Sequence, residues 1–469
     1  MVLKGLQPER VFYYFEKLSA IPHGSGNTKQ ISDYCAQVAQ SLGLAFRQDK
    51  LNNIVIYKDG SAGRENEEAV ILQGHLDMVC EKMPDCNIDF AKDGLQLAVE
   101  GDMLSAVGTT LGGDDGIAIA MALAILEDKN LSHPPIEALF TVDEETGMYG
   151  AAGLDKDWLQ GKKLLNIDSE EEGVLTVGCA GGMRADIELE MIPTAVVSPC
   201  YRVVIEGLRG GHSGVEIGKG RHNANHLMGQ LLYRIKDCML ISVSGGQKDN
   251  VICPYSEAVI STEADVVALC DAFVKEKYTD ADPDLCISVT QVTGEMVGYD
   301  SISTAAALTM LQEFPQGVQK MSQDVEGLVQ TSLNFGVMRL EEDMLSVSFS
   351  LRSSVAAEKE ALFQKLSSIA HKHGATITAR GDYPAWEFVK DSPLRNTMVS
   401  VYKRLYGQTP RVEIIHAGLE CGLLSQKIEG MDAVSIGPCM WDIHSPSERL
   451  SISSVKRTYN YILETLKEI

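Results

Sequence analysis

Several features that would have placed this protein elsewhere are missing from its sequence. No apolar stretch is long enough to cross a bilayer; the best run, residues 117–126, has the length of a core helix. The opening MVLKGLQPERVFYYF has no basic segment, apolar segment and small-residue cleavage site in succession, so no secretory signal is expected and the expected compartment is the cytoplasm. Cys-x-x-Cys is absent, and the 11 cysteines are an odd number spread from Cys35 to Cys439. That pattern excludes a disulfide framework and favours reduced, mostly buried thiols. Positive charge is in deficit, with 41 Lys and Arg against 65 Asp and Glu, a net charge of −24. Such a surface repels phosphate backbones and anionic lipid, so neither nucleic acid nor membrane is an expected partner.

What is present is ordinary globular material. The 469 residues are 45% hydrophobic and 23% charged, which supplies an ample core, and the length favours two domains. Helical spacing over residues 8–18 and 27–42, followed by short strands at 45–48 and 53–57, predicts an α/β start. Residues 69–75, AVILQGH, read as a buried strand. At its end stand His75 and Asp77, two residues apart and able to face the same way.

That arrangement recurs. A strand at 136–142 runs into Asp143, Glu144 and Glu145, and a strand at 164–167 into Asp168 and then Glu170 to Glu172. The Gly-rich turn GTTLGGDDG places Asp114 and Asp115 at the start of a small, apolar helix, where one aspartate would serve as a cap. Far downstream a strand at 433–436 precedes a loop with His444, and a helix over 453–469 closes the chain. Taken singly these are a core histidine, a cap and a solvated acidic loop. Together, two histidines and several carboxylates at strand ends are the set a two-metal hydrolytic site needs, with one carboxylate shared and the rest neutralising two dications.

The series GHLDMV, LGGDDG, DEETGMYGA, NIDSEEEG, GGHSG and IHSPSE resembles the co-catalytic di-zinc peptidases, the family that includes peptidase T, carnosinase and glutamate carboxypeptidase. Residues 133–148, HPPIEALFTVDEETGM, are most similar to its aminoacyl-histidine dipeptidases. The resemblance implies two zinc ions per chain, with manganese or cobalt as substitutes. It implies His75 and Asp168 on one ion, Glu145 and His444 on the other, and Asp114 between them. Asp115 is then a cap or an outer group, Asp77 orients His75, and Glu144 is the general base. His212 would donate to the tetrahedral oxyanion, Arg352 would bind the substrate carboxylate, and Glu420, in a substrate-side loop at 416–425, would meet the substrate amino group. Trp386 and Trp441 are candidate pocket walls, and His222 and His226 read as ordinary packing residues.

The implied architecture is α/β: a catalytic domain with a central mixed sheet flanked by helices, formed by residues 1–184 and 389–469. Into it is inserted an α+β lid of two similar halves, residues 185–388. The implied activity is hydrolysis of small peptides ending in histidine by a homodimer. Tripeptidase, aminoacylase or carboxypeptidase activity on the same scaffold is the alternative, and a non-catalytic binding protein the alternative outside enzymes.

Overall fold

The computed structural model describes residues 2–196, 199–323, 325 and 327–469. The chain divides into two compact units: residues 1–178, 388–414 and 419–469 form one, and residues 179–387 with 415–418 the other. The second unit begins at Cys179, a little ahead of the expected residue 185.

In the first unit, Val70–His75 is buried at every position and pairs in parallel with Ile136–Thr141 on one side and Lys163–Asn166 on the other. Burial on both faces is why it reads as a continuous apolar run instead of an alternating one. Asp432–Ser435 adds in parallel beside Lys163–Asn166, and four further strands complete a mixed sheet of eight. The register sets His75 opposite Thr141 and Gln73 opposite Asn166, and Ser435 opposite Asn166. The parallel strands therefore end within two residues of one another, and the residues that follow them emerge at one edge, where open α/β sheets carry their sites.

The Gly113–Glu127 helix is apolar around its circumference and almost wholly buried, so it is covered on more than one side. It packs on Val70–His75 and on the Glu9–Ser19 helix, with the Phe15 ring against Gly116. The closing helix, Ile452–Glu468, turns Val455, Ile462 and Leu466 into the same core. Residues 416–425, expected as a loop, run into the helix Cys421–Lys427. Trp441 is largely exposed whereas Trp386 is buried.

The second unit is built on one nine-stranded antiparallel sheet. Its strand order repeats. From one edge inward it runs Cys286–Val292, Cys200–Glu206, Ser256–Ser261, Met239–Gly245, the fourth, first, third and second strands of a β-α-β-β-α-β unit whose helices are Ala224–Arg234 and Val266–Lys277. From the other edge the same order appears as Thr376–Tyr383, Gly181–Glu190, Met344–Ser353 and Val329–Glu341, with helices Ser301–Glu313 and Ala356–Lys372. The halves join where Ser244 and Gly245 pair with Arg339 and Met338. The first half lies in sequence between the first strand and first helix of the second.

Among the described residues no helix is long and apolar enough to cross a membrane. Among the described residues no cysteine is in a disulfide, and of the cysteines only Cys286 is exposed.

Candidate metal centre

Four strand ends and one turn deliver the side chains. His75 closes its strand; its Nδ1 donates to the main-chain oxygen of Asp77 at 2.9 Å. A carbonyl can only accept, so the ring proton sits on Nδ1 and the Nε2 lone pair is free to ligate. Nε2 lies 3.1 Å from Asp114 Oδ1 and 3.6 Å from Asp168 Oδ1. On the other side His444 Nε2 lies 3.1 Å from Asp114 Oδ2 and 3.0 Å from Glu145 Oε1. Asp114 thus offers one oxygen to each histidine.

The aspartate pair departs from the capping expectation. Gly112 occupies the N-cap position with φ of 63°, and Asp114 and Asp115 have non-helical backbone angles. Neither side chain caps the helix. Asp115 is instead fully buried, and its Oδ2 accepts from the His75 amide at 3.2 Å. The space for it comes from Gly74, where a Cβ would stand 2.4 Å from that oxygen.

Asp77 acts on more than the ring. Its carboxylate oxygen is 3.6 Å from His75 Nδ1, farther than its own carbonyl, while its two oxygens accept from the amides of Glu144 at 3.1 Å and Glu145 at 3.4 Å. Ser25 Oγ donates to it at 2.7 Å. Glu420 is fully buried, its Oε2 accepting 2.6 Å hydrogen bonds from Gln73 and Thr141. Its Oε1 has no partner. Gln73 in turn accepts from Asn166 at 2.6 Å.

So much buried negative charge is unfavourable without cations. Burial pushes Asp168 up to about 8 and Glu420 up to about 7, and drives Glu144 well above the ordinary carboxylate range, with Asp168, Glu145 and Glu420 adding to it. Burial opposes a charge on His444, but Asp114 and Glu145 outweigh it and lift that imidazole to about 11. For Asp114 burial acts upward, and hydrogen bonds to His444 and His75 hold it far below its usual value. The donors fit divalent ions. Ligand atoms of His75, Asp114 and Glu145 lie within 4.8 Å of one another, as do those of His75, Asp115 and Asp168. Glu145 Oε1 is buried without a well-formed hydrogen bond, although His444 Nε2 is near. Imidazole nitrogen with carboxylate oxygen, and no thiolate, suits zinc, manganese or cobalt.

His212 and Arg352 belong to the second unit. His212 Nδ1 accepts from the amides of Gly214 at 3.2 Å and Val215 at 3.4 Å, which leaves the ring proton on Nε2. Arg352 makes no ion pair among the described residues; it donates to Tyr383 Oη at 3.0 Å, and its buried Nε has no partner. His222 donates through Nε2 to the Lys277 carbonyl at 2.8 Å, in keeping with a packing role.

Ser25, Gln73 and Glu448 were not singled out from sequence. Gln73 had a signal, a polar residue inside an apolar strand; Ser25 lies in the PHGSGN loop, and Glu448 is the last residue of IHSPSE.

The pattern of Peptidase family M20/M25/M40 matches residues 71–468. The chain belongs to that family. Cytosol non-specific dipeptidase from Escherichia coli (strain K12) is 37% identical over 479 aligned residues, covering 100% of this chain and 99% of the relative. The solved aminoacylhistidine dipeptidase of Vibrio alginolyticus superposes with a TM-score of 0.91 at 35% identity, covering 100% of this chain and 98% of that one. A tripeptidase structure from Staphylococcus aureus subsp. aureus Mu50 shares the M20 fold, with a TM-score of 0.59 at 16% identity and coverage of 99% and 98%.

Proposed function

We propose that this M20 family member is a di-metal dipeptidase that prefers dipeptides ending in histidine. The observation that carries the reading is Asp114, presenting its two oxygens at 3.1 Å to His75 and to His444. In this reading His75 and Asp168 hold one divalent ion, Glu145 and His444 the other, and Asp114 is shared. Zinc is the proposed metal, with manganese or cobalt able to replace it. Such a pair, when bound, lowers the pKa of water and polarises a carbonyl. Glu144, whose burial raises the proton affinity of its carboxylate, accepts the proton of the attacking water and passes it to the leaving amine.

Asp77 fixes the amides of Glu144 and Glu145 and so sets where both carboxylates start. His212, with its proton on Nε2, is the proposed donor to the oxyanion. Arg352, a guanidinium without a carboxylate partner, is the proposed receptor for the substrate carboxylate. Glu420 Oε1 is the candidate partner of the substrate ammonium. The two full-length relatives, one named non-specific and one for aminoacylhistidine, support a dipeptide substrate. The chain is further read as a cytoplasmic homodimer, which sedimentation of the purified protein would check.

Metal counting tests the site directly. The wild type is expected to hold two divalent ions per chain, and His75→Ala or His444→Ala to lose at least one. A wild type that binds none would remove the basis of the reading.

A further inference from the structure

We infer that Glu448 is a positioning residue that sets the distance between Asp114 and His444; the inference rests on the metal-site reading above. Its carboxylate is 3% exposed and accepts from four consecutive main-chain amides. Oε2 takes Leu111 at 2.7 Å and Gly112 at 3.2 Å, and Oε1 takes Gly113 at 2.8 Å and Asp114 at 3.4 Å. These amides precede and open the Gly113–Glu127 helix, and the first amides of a helix have no partner within it. With no aspartate side chain capping it, a carboxylate from the far end of the sequence fills that role through charge-assisted bonds.

The arrangement does more than end a helix. Glu448 also closes the loop that carries His444, its own amide donating to the Ser445 carbonyl at 3.1 Å. One side chain therefore joins the turn of Asp114 to the loop of His444, ligands 330 positions apart. The turn holds it closely: a Cβ on Gly113 would stand 3.1 Å from Glu448 Oε1, and Gly112 has a φ of 63° that favours glycine. A second buried carboxylate beside Asp114 is electrostatically unfavourable, and the amides offset part of that cost. Its loss removes the side chain that ties these four amides to the loop of His444.

The test uses the full-length, zinc-loaded chain with Glu448→Ala and Glu448→Gln. Zinc affinity is read by competition with a chromophoric chelator, main-chain order by hydrogen exchange over residues 108–116, and folding by circular dichroism. The expected result is one zinc held about 10–100-fold more weakly, as removal of groups behind metal ligands typically gives. Exchange at Leu111 to Asp114 quickens, and kcat at limiting zinc falls with little change in KM and recovers with excess zinc. Two zinc ions held at wild-type affinity, with only a lower melting temperature, would overturn the inference and leave the metal site standing. A wild type without zinc would overturn both. If Glu448→Ala does not fold, Glu448→Gln decides on the same criteria, since it keeps the volume and one accepting oxygen.

Discussion

In the proposed reaction Asp114 and Glu144 divide the chemistry between a charge that must stay and a charge that must move. Asp114 is held ionised by two imidazoles, whereas burial keeps the Glu144 carboxyl prone to protonation. Glu144→Gln is therefore expected to lower kcat by about 10²–10⁴-fold, the usual yield of a lost general base, with both ions retained. Loss of metal in that variant would show that Glu144 is a ligand instead. The residues proposed as ligands stand out in the sequence because each lies in a motif at or after a strand end or in a Gly-rich turn. Which neighbouring glutamate faces the ligands was not, because adjacent residues differ only in side-chain direction; the structure puts Glu145 at His444. Glu448 escaped notice because its partners are amides more than 300 positions away, and an amide leaves no mark in a sequence.

At the scale of elements, the site depends on how closely the Gly113–Glu127 helix lies on the Val70–His75 strand. A Cβ at Gly74 would stand 2.4 Å from Asp115 Oδ2 and 2.8 Å from Ala118 Cβ. Gly74→Ala should therefore cost about 1–3 kcal/mol by overpacking, seen as a lower urea midpoint, and should weaken zinc binding by shifting Asp115. The alanines of the helix signalled this close packing. The non-helical turn at Asp114 was not foreseen, since local preference alone favours a capped helix there.

The second unit carries its own pH dependence. Burial lowers both His226 and His416 to about 4, with Lys277 adding for the first and Arg352 for the second. Each is neutral when folded and titrates near 6.5 when unfolded. The unfolded state thus binds more protons between those values, so stability is full above about 6.5 and falls as pH drops toward 4, by up to roughly 3 kcal/mol per histidine. Urea midpoints from pH 7 to 4 should fall less for His226→Gln than for the wild type. Parallel curves would show that His226 is not the titrating group.

For the molecule as a whole, the two similar halves of the second unit were expected from sequence, but the interruption of one half by the other was not. Its two halves meet through the pairing of Ser244 and Gly245 with Arg339 and Met338 and through the packed Ala224–Arg234 and Ser301–Glu313 helices, and the repeat is obscured because one half interrupts the other in sequence. The proposed ligands span residues 75 to 444, so only the folded chain can present them, and bound ions should stabilise it by mass action. Zinc at 100 times its Kd is worth about 2.7 kcal/mol per site, so stripping with a chelator should lower the melting temperature and zinc should restore it. An unchanged melting temperature would separate the cluster from metal binding.

The most direct test of the central claim is hydrolysis of a panel comprising Gly-His, β-Ala-His, Ala-Ala, Gly-Leu and N-acetyl amino acids by the zinc-loaded wild type beside Glu144→Gln. Cleavage that favours the histidine dipeptides and collapses in the variant is the expected result. A zinc-loaded wild type that cleaves no peptide of the panel would contradict the account.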